Sequence, residues 1–184
     1  ELLRCPSCGM GLSLKNEVVD QGEIREGVIE CDGCSATYPI RNFIPRFVDD
    51  DNYARGFGFQ WNRHARTLVD KFNGTSITAE RFYAGTQWGK EEIQGMRILE
   101  AGCGAGRFTQ IMLDAGMDVF SLDYSNAVDA CLDNHGLHPN LHLIQGNMYA
   151  LPFEKGGFDR VFCFGVLQHT PDVAKAFAAL PPMV

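Results

Sequence analysis

Two short β-rich runs near the start of the chain predict a hairpin. Residues 17–20 and 27–30 each contain a pair of β-branched apolar residues, and Gln21–Gly22 lies between the two runs. Such runs on either side of a glycine-containing turn are typical of two antiparallel strands. We therefore expect a small antiparallel sheet in the first part of the chain.

A helical pattern occupies the next part of the chain. Ala65, Leu68, Val69 and Phe72 recur at the spacing of one helix face, which predicts a helix over residues 62–72 that ends at Asn73–Gly74. Aromatic residues are frequent on both sides of this stretch. They either line a pocket for a substrate or belong to the core. The residues are Phe57, Phe59, Trp61, Phe82, Tyr83 and Trp88.

Residues 95–180 alternate between apolar runs and amphipathic stretches, which predicts an α/β fold with a parallel sheet. Strands are expected over residues 97–102, 118–123, 141–148 and 158–165. A helix follows the first strand and ends at Gly116, another covers residues 126–134 after Ser125 as N-cap, and a third begins with Thr170 as N-cap. The apolar face of the first helix contains Phe108, Ile111, Met112 and Ala115, and that of the third contains Val173, Phe177 and Leu180.

Four of the seven cysteines form two C-x-x-C turns, Cys5 with Cys8 and Cys31 with Cys34. Two such turns bring four thiolates around one ion in the tetrahedral geometry of structural zinc sites. A redox pair or chance is the alternative. Four protein ligands leave no open position on the metal, so the site is interpreted as structural. A segment this small has little core, so zinc would supply much of its folding free energy, and losing Cys31 is expected to unfold it while the α/β part stays largely folded.

The stretch from Tyr38 to Phe47, together with the two cysteine turns, resembles a family of small zinc ribbons. Members of that family are fused to methyltransferases, or act as partner subunits of tRNA, rRNA and release-factor methyltransferases. The expected Asp-Gly turn is replaced here by Asn42–Phe43, which puts the local turn in question.

A glycine-rich turn follows the first strand of the α/β part. Gly102, Gly104 and Gly106 alternate after Glu100, and Arg107 takes the position where a dinucleotide-binding fingerprint has its last glycine. This pattern resembles the first motif of class I S-adenosylmethionine-dependent methyltransferases. The resemblance implies a Rossmann-like sheet and a turn, including Cys103, that faces the methionine part of the cofactor.

Later motifs agree with this resemblance in order and distance. Asp123 ends the second strand and is expected to bind both ribose hydroxyls. Tyr124 is expected to flank the adenine, with Asn147 and Met148 near it. The family usually has an acid where Asn147 stands, and an asparagine offers a carbonyl oxygen instead. Three further predictions follow from the motifs. Gly165 is expected beside the cofactor, Glu100 supports the turn or the cofactor, and His169 is either a general base or a local hydrogen-bonding residue.

Composition and charge limit the partners. The chain has a formal net charge of −7, from 16 basic and 23 acidic residues, which disfavours RNA and anionic membranes although RNA stays possible through the ribbon resemblance. No apolar run approaches the length of a membrane span. Paired thiols without a disulfide scaffold favour the cytoplasm. A small-molecule acceptor is therefore expected.

These observations give three segments: a zinc ribbon over residues 1–48, a linker and helical approach over 49–94 that begins at the acidic run 49–51, and the N-terminal part of a methyltransferase domain over 95–184. Methyl transfer is the expected function. The alternative is a ribbon that docks a partner beside an inactive, cofactor-binding α/β part. The family sheet has seven strands in the order 3-2-1-4-5-7-6, and four are present here. A C-terminally truncated, catalytically poor fragment is therefore expected, which either self-associates through the fourth strand or borrows strands from a partner.

Overall fold

The computed structural model describes residues 2–49 and 52–184, so two residues of the predicted acidic boundary, Asp50 and Asp51, lie outside the described residues. The first sheet is antiparallel, with its strands in sequence order. Its strands are β1 (Leu12–Asp20), β2 (Glu23–Cys31), β3 (Thr37–Arg41) and β4 (Ile44–Pro45). The predicted hairpin is confirmed. Gln21 and Gly22 both have left-handed backbones, with φ of 54° and 83°, as the twist of a two-residue hairpin favours.

The turn between β3 and β4 forms without the expected Asp-Gly pair. Asn42 and Phe43 adopt φ of 51° and 67°. A positive φ is unusual for a bulky residue such as phenylalanine. The N–H group of Phe43 donates to the carbonyl oxygen of Arg25 at 3.0 Å, which ties this turn to β2.

Four short helices follow: α1 (Arg55–Arg63), α2 (Asp70–Asn73), α3 (Ile77–Thr86) and α4 (Lys90–Ile93). The predicted helix over residues 62–72 is wrong, because the chain leaves the helical path between α1 and α2. The carbonyl groups of Ala65, Thr67 and Leu68 accept hydrogen bonds from side chains elsewhere, at 2.8–3.1 Å, instead of from helical N–H groups. The predicted end at Gly74 is confirmed by its left-handed φ of 70°.

The second sheet is parallel and has the order β7-β6-β5-β8, where β5 is Arg97–Ala101, β6 is Asp118–Asp123, β7 is Leu141–Gln145 and β8 is Arg160–Phe162. This is the order that the resemblance implies for the first four strands. Helices α5 (Arg107–Asp114) and α6 (Ala127–His135) connect β5 to β6 and β6 to β7. Buried side chains such as Leu99 on β5 and Leu122 on β6 form the centre of the sheet.

Several boundaries differ from the sequence prediction. Strand β8 ends at Phe162, and a short 3-10 turn (Leu167–His169) precedes α7 (Val173–Ala178). The N-cap of α7 is Asp172 instead of Thr170, since its Oδ1 accepts from the N–H group of Lys175 at 2.9 Å. The predicted apolar face is confirmed for Leu180, which is buried, and wrong for Val173 and Phe177, which are exposed. Ala176 is buried in their place.

The first sheet is joined to the second. Arg46, directly after β4, forms a parallel bridge with Gln145 at the end of β7, and the N–H group of Phe47 donates to the Gln145 carbonyl oxygen at 2.8 Å. The Arg46 guanidinium is buried and pairs with Asp129 of α6 at 2.6 Å. One core cluster includes residues of both sheets. Its members include Cys5, Ile29, Cys31, Tyr38, Phe47, Leu99, Leu122, Ile144 and Phe153. The segment 46–47 therefore covers the β7 edge of the parallel sheet.

The other edge strand, β8, pairs only with β5 among the described residues. The expected self-association through this edge stays a prediction. None of the helices in the described part of the chain is long and apolar enough to cross a membrane.

Candidate functional site

A cavity of about 200 Å³ lies at the carboxyl ends of the parallel strands. In open parallel sheets this edge is where ligands bind. The floor is formed by residues 102–105, 107–108, 122–124, 146–149, 164–166 and 169–170. The opposite wall is formed by residues 53–54, 57, 61, 65 and 68–69, from α1 and its flanks.

The glycine turn is shaped by close packing. A Cβ atom at Gly102 would overlap the side chain of Val166, and one at Gly106 would lie 2.5 Å from the sulfur of Cys131. Both glycines also have a positive φ, of 89° and 83°. The close contacts and the backbone geometry together restrict these positions to glycine.

Asp123 connects this turn to the end of β6. Its Oδ2 accepts from the N–H group of Gly104 at 2.9 Å, and its Oδ1 accepts from the N–H and hydroxyl groups of Ser125 at 2.9 and 2.7 Å. Burial raises the pKa of Asp123 although these hydrogen bonds act in the opposite direction. A carboxylate has about four lone-pair sites. A ligand hydroxyl in the cavity that Asp123 lines would therefore share these oxygens with the donors of the protein.

The far end of the cavity contains Tyr124, Asn147 and Met148. The Tyr124 ring stacks on Tyr53, with 5.1 Å between the ring centroids. The side-chain oxygen of Asn147 already accepts from the N–H group of Tyr149 at 2.9 Å, so a ligand would share this oxygen with the backbone. Met148 is buried. This end can hold a flat apolar ring with few polar contacts.

Most of the predicted cofactor residues line this cavity. They are Gly102, Cys103, Gly104, Asp123, Tyr124, Asn147, Met148 and Gly165. Glu100 and Gly106 are not among the lining residues. Their predicted contact with a cofactor stays a prediction, although the structure gives Glu100 another set of partners.

Glu100 is fully buried between β5, α5 and β6. Its Oε2 accepts from the hydroxyl groups of Thr109 at 2.5 Å and Ser121 at 2.7 Å. Burial raises the pKa of Glu100 to about 7, although these hydrogen bonds act in the opposite direction. Glu100 therefore joins β5 to α5 and β6 next to the glycine turn, without lining the cavity.

The raised pKa of Glu100 predicts a pH-dependent stability. The pKa in the folded state lies above the ordinary value of 4.5, so folding favours the neutral acid. The free energy of unfolding should fall as the pH rises from about 4.5 to about 7 and then level off, by roughly 3 kcal/mol in total from this group. Glu100→Gln should remove this loss in urea unfolding between pH 4.5 and 8. The exposed Glu91→Gln should keep the wild-type profile, and identical profiles for all three proteins would contradict the assignment.

His169 also lines the cavity, from the 3-10 turn after β8. Its ring packs against Phe57, with 5.1 Å between the ring centroids, and it is exposed. An exposed imidazole at a cavity wall can accept a proton from a bound ligand. Its predicted role as a general base stays a prediction.

The aromatic residues before the parallel sheet divide between the two alternatives that the sequence left open. Phe57 and Trp61 line the cavity, whereas Phe82 is buried in the core and packs against Trp88. Phe59 does neither, with 68% of its surface exposed. The wall of the site therefore comes from α1, a helix that the sequence analysis did not predict.

Sequence reasoning also missed Asn134, near the end of α6. Its buried amide donates to the carbonyl oxygens of Ala105 in the glycine turn and of Ala65 in the opposite wall, both at 2.8 Å. Its neighbour His135 bonds to the Gly106 carbonyl oxygen at 2.9 Å. Burial and the Lys71 ammonium lower the pKa of His135 to about 4, so the neutral ring donates this bond. Neither Asn134 nor His135 belongs to a sequence motif, yet their hydrogen bonds hold the glycine turn against the opposite wall of the cavity.

The four cysteines of the two C-x-x-C turns converge away from the cavity. Their sulfur atoms all lie within 4.8 Å of one another, a cluster that could hold a metal ion. The N–H groups of Gly33 and Cys34 approach the Cys31 sulfur at 3.3 and 3.4 Å. Burial raises the pKa of Cys5, but hydrogen bonds from the Tyr38 hydroxyl and nearby backbone N–H groups outweigh it, and this pKa falls to about 6. None of the four lines the cavity, which fits a structural role.

Comparison with known proteins agrees with this geometry. Residues 99–181 match the family model described as a methyltransferase domain. Over 97 residues, the chain is 34% identical to the ubiquinone biosynthesis O-methyltransferase of Bordetella avium, a match that covers 48% of this chain and 39% of that protein. The protein of the same name from Paraburkholderia phymatum is 30% identical over 95 residues, covering 50% and 41%. The chain thus spans well under two thirds of the curated relatives that it matches.

Two solved structures share the fold. One is a candidate S-adenosyl-L-methionine-dependent methyltransferase from Methanococcus maripaludis, with a TM-score of 0.56 at 17% identity, covering 74% of this chain and 62% of that one. The other comes from the complex between the Haloferax volcanii Trm112 methyltransferase activator and a candidate methyltransferase, with a TM-score of 0.56 at 19% identity, covering 74% and 57%. At these identities the likeness concerns the fold alone.

Proposed function

We propose that the α/β part of this chain is a class I S-adenosylmethionine-dependent methyltransferase, which binds S-adenosylmethionine in the cavity and transfers its methyl group to a small-molecule acceptor. One observation carries the proposal. Eight residues from four separate motifs, each assigned to the cofactor from the sequence resemblance, line one cavity at the carboxyl edge of the sheet.

The residues present fit this cofactor. The carboxylate of Asp123, which lines the cavity, suits a ribose hydroxyl, and the Tyr124 end suits the adenine ring. The turn from Gly102 to Gly106 lets the backbone approach the amino-acid end closely. Arg107 replaces the last glycine that a pyrophosphate-binding turn would have, which argues against a dinucleotide.

When bound, the cofactor supplies an electrophilic methyl group on its sulfonium. The protein itself would align the acceptor atom with this methyl group and exclude water from the reaction. The wall with Phe57 and Trp61 gives the cavity an aromatic surface that would limit the access of water. We propose that His169, which lines the cavity and packs against Phe57, takes a proton from an acceptor hydroxyl.

Oxygen is the acceptor atom that we favour, because the two relatives reported above are named as O-methyltransferases. A small apolar molecule fits the aromatic wall. RNA is disfavoured by the formal net charge of −7. We propose a cytoplasmic location, since two pairs of reduced thiols without a disulfide scaffold are typical of a reducing compartment.

The cysteine cluster is proposed to bind one structural zinc ion. Four sulfur ligands within 4.8 Å of one another match the tetrahedral Cys₄ sites that zinc prefers. The alternative function, a ribbon that docks a partner beside an inactive α/β part, is weakened by the ribbon's own packing. Tyr38 and Phe47 of the ribbon side are already buried against the parallel sheet.

Calorimetric titration with S-adenosylhomocysteine tests the proposal. We expect one binding site per chain with a micromolar dissociation constant, and no binding of NAD. Tritium transfer from labelled S-adenosylmethionine to a panel of phenols then tests the reaction. Binding without transfer to any acceptor would favour the docking alternative, and absence of binding at high micromolar concentration would refute the cofactor assignment.

A further inference from the structure

Arg107 places a cationic group on an otherwise apolar side of the cavity. It begins α5 directly after the glycine turn and lines the cavity, as do Phe108 and Phe164. Its guanidinium carbon lies 4.4 Å from the ring centroid of Phe108, whose ring packs against Phe164 at 5.2 Å between centroids. A half-buried guanidinium thus packs on an aromatic ring that also lines the cavity.

No carboxylate of the described residues bonds to this guanidinium. Within residues 2–49 and 52–184, the side chain of Arg107 has no hydrogen bond or ion pair, and its contact is the Phe108 ring. The two acids that act on it from nearby are occupied. Glu100 is bonded to two buried hydroxyl groups, and Asp70 is bonded to the first N–H groups of α3 at 3.0 Å.

The local electrostatics favour an anion beside Arg107. Burial and the neighbouring Arg81 both lower the pKa of Arg107, and Arg81 itself lies over Phe164 at 6.0 Å from the ring centroid. The apolar surroundings strengthen any Coulomb attraction to a bound anion. A planar guanidinium also matches a carboxylate through two parallel hydrogen bonds.

We propose that Arg107 is a carboxylate-binding subsite of the cavity, which holds the carboxylate of a ligand whose apolar part packs against Phe108 and Phe164. The inference rests on the proposed function, because two small molecules would meet in this cavity. The carboxylate belongs either to the amino-acid end of the cofactor or to the methyl acceptor. In the second case the acceptor is an apolar or aromatic acid.

Calorimetry on Arg107→Gln distinguishes the two sources, beginning with the cofactor. S-adenosylhomocysteine carries the carboxylate, whereas 5′-methylthioadenosine lacks the whole amino-acid end. If the cofactor is the source, Arg107→Gln should weaken the first ligand by about tenfold to a hundredfold and leave the second unchanged. Arg107→Lys should lose less, because it keeps the charge. Arg63→Gln, an exposed arginine outside the cavity, is the matched control.

The acceptor arm compares benzoate with benzamide, with and without saturating S-adenosylhomocysteine. If the acceptor is the source, the wild type should prefer benzoate by about tenfold, Arg107→Gln should lose this preference, and its affinity for S-adenosylhomocysteine should not change. The subsite is refuted if Arg107→Gln, folded by circular dichroism, changes neither the S-adenosylhomocysteine affinity nor the benzoate preference. Failure of the wild type to bind either adenosine ligand would instead refute the proposed function, and the benzoate comparison would still decide on Arg107.

Discussion

Replacing Cys31 with alanine should abolish zinc binding and cause the largest loss of stability of any single change considered. Cys31 is one of four clustered sulfur ligands, and its sulfur also receives two backbone N–H groups. Structural zinc in small domains contributes on the order of 10 kcal/mol to folding. We expect about one zinc per chain in the wild type and none in the variant, by elemental analysis of protein purified under reducing conditions. Cys163→Ala, outside the cluster, should retain the zinc.

The effect should extend beyond the ribbon. Cys5 and Cys31 belong to the same core cluster as Leu99 and Leu122 of the parallel sheet. Loss of the ribbon would uncover that cluster and the β7 edge, so the whole chain should melt at a lower temperature in one transition. A variant that keeps a full-strength, separate transition for the α/β part would show that the two sheets fold independently. Zinc-free wild-type protein with unchanged stability would refute the metal assignment.

Replacing Asp123 with alanine should weaken binding of S-adenosylhomocysteine by about tenfold to a hundredfold. A hydrogen bond to a charged acceptor contributes roughly 1.5–3 kcal/mol. The structure adds a second reason, since Asp123 also accepts from the N–H group of Gly104 and so fixes the glycine turn. Calorimetry measures the loss, and the exposed Asp133→Ala serves as the matched control.

Asp123→Asn separates the two contributions. An asparagine can still offer one oxygen to the Gly104 N–H group, while its amide nitrogen cannot accept from a ribose hydroxyl. An intermediate loss for this variant would indicate that both contacts matter. Unchanged affinity in Asp123→Ala would mean that the ribose is bound elsewhere and that the assignment of this strand end is wrong.

The sequence predicted the parts of the site that depend on local chemistry. Alternating glycines after an apolar strand can be recognised because few backbones other than a close-packed turn require them, and Gly102 and Gly106 do have positive φ and crowded surroundings. Asp123 was found because it ends a strand at a set distance from that turn. Both signals reside in a few consecutive residues.

The missed parts depend on contacts between distant residues. The helix over residues 62–72 did not form because side chains from elsewhere, among them Asn134, occupy its carbonyl groups. The non-helical segment between α1 and α2 supplies Ala65, Leu68 and Val69 to the wall of the cavity. Residue spacing also predicted that Val173 and Phe177 face the core, although both are exposed. Spacing alone cannot show which side of a short helix meets the core.

The docking of the ribbon was missed for the same reason. The pairing of Arg46 with Gln145 joins residues far apart in the chain, and neither has a motif. The sequence therefore favoured an independent ribbon whose loss would spare the α/β part. The shared core reverses that expectation.

The bridge between Arg46 and Gln145 has a consequence for how the protein responds to dilution. A strand supplied by a separate subunit covers a sheet edge only above the dissociation constant of the complex. Here the covering segment is tethered to the same chain, and a tether of moderate length gives an effective concentration in the millimolar range. The β7 edge should thus stay covered at the nanomolar concentrations of an enzyme assay or a living cell, without any partner to titrate.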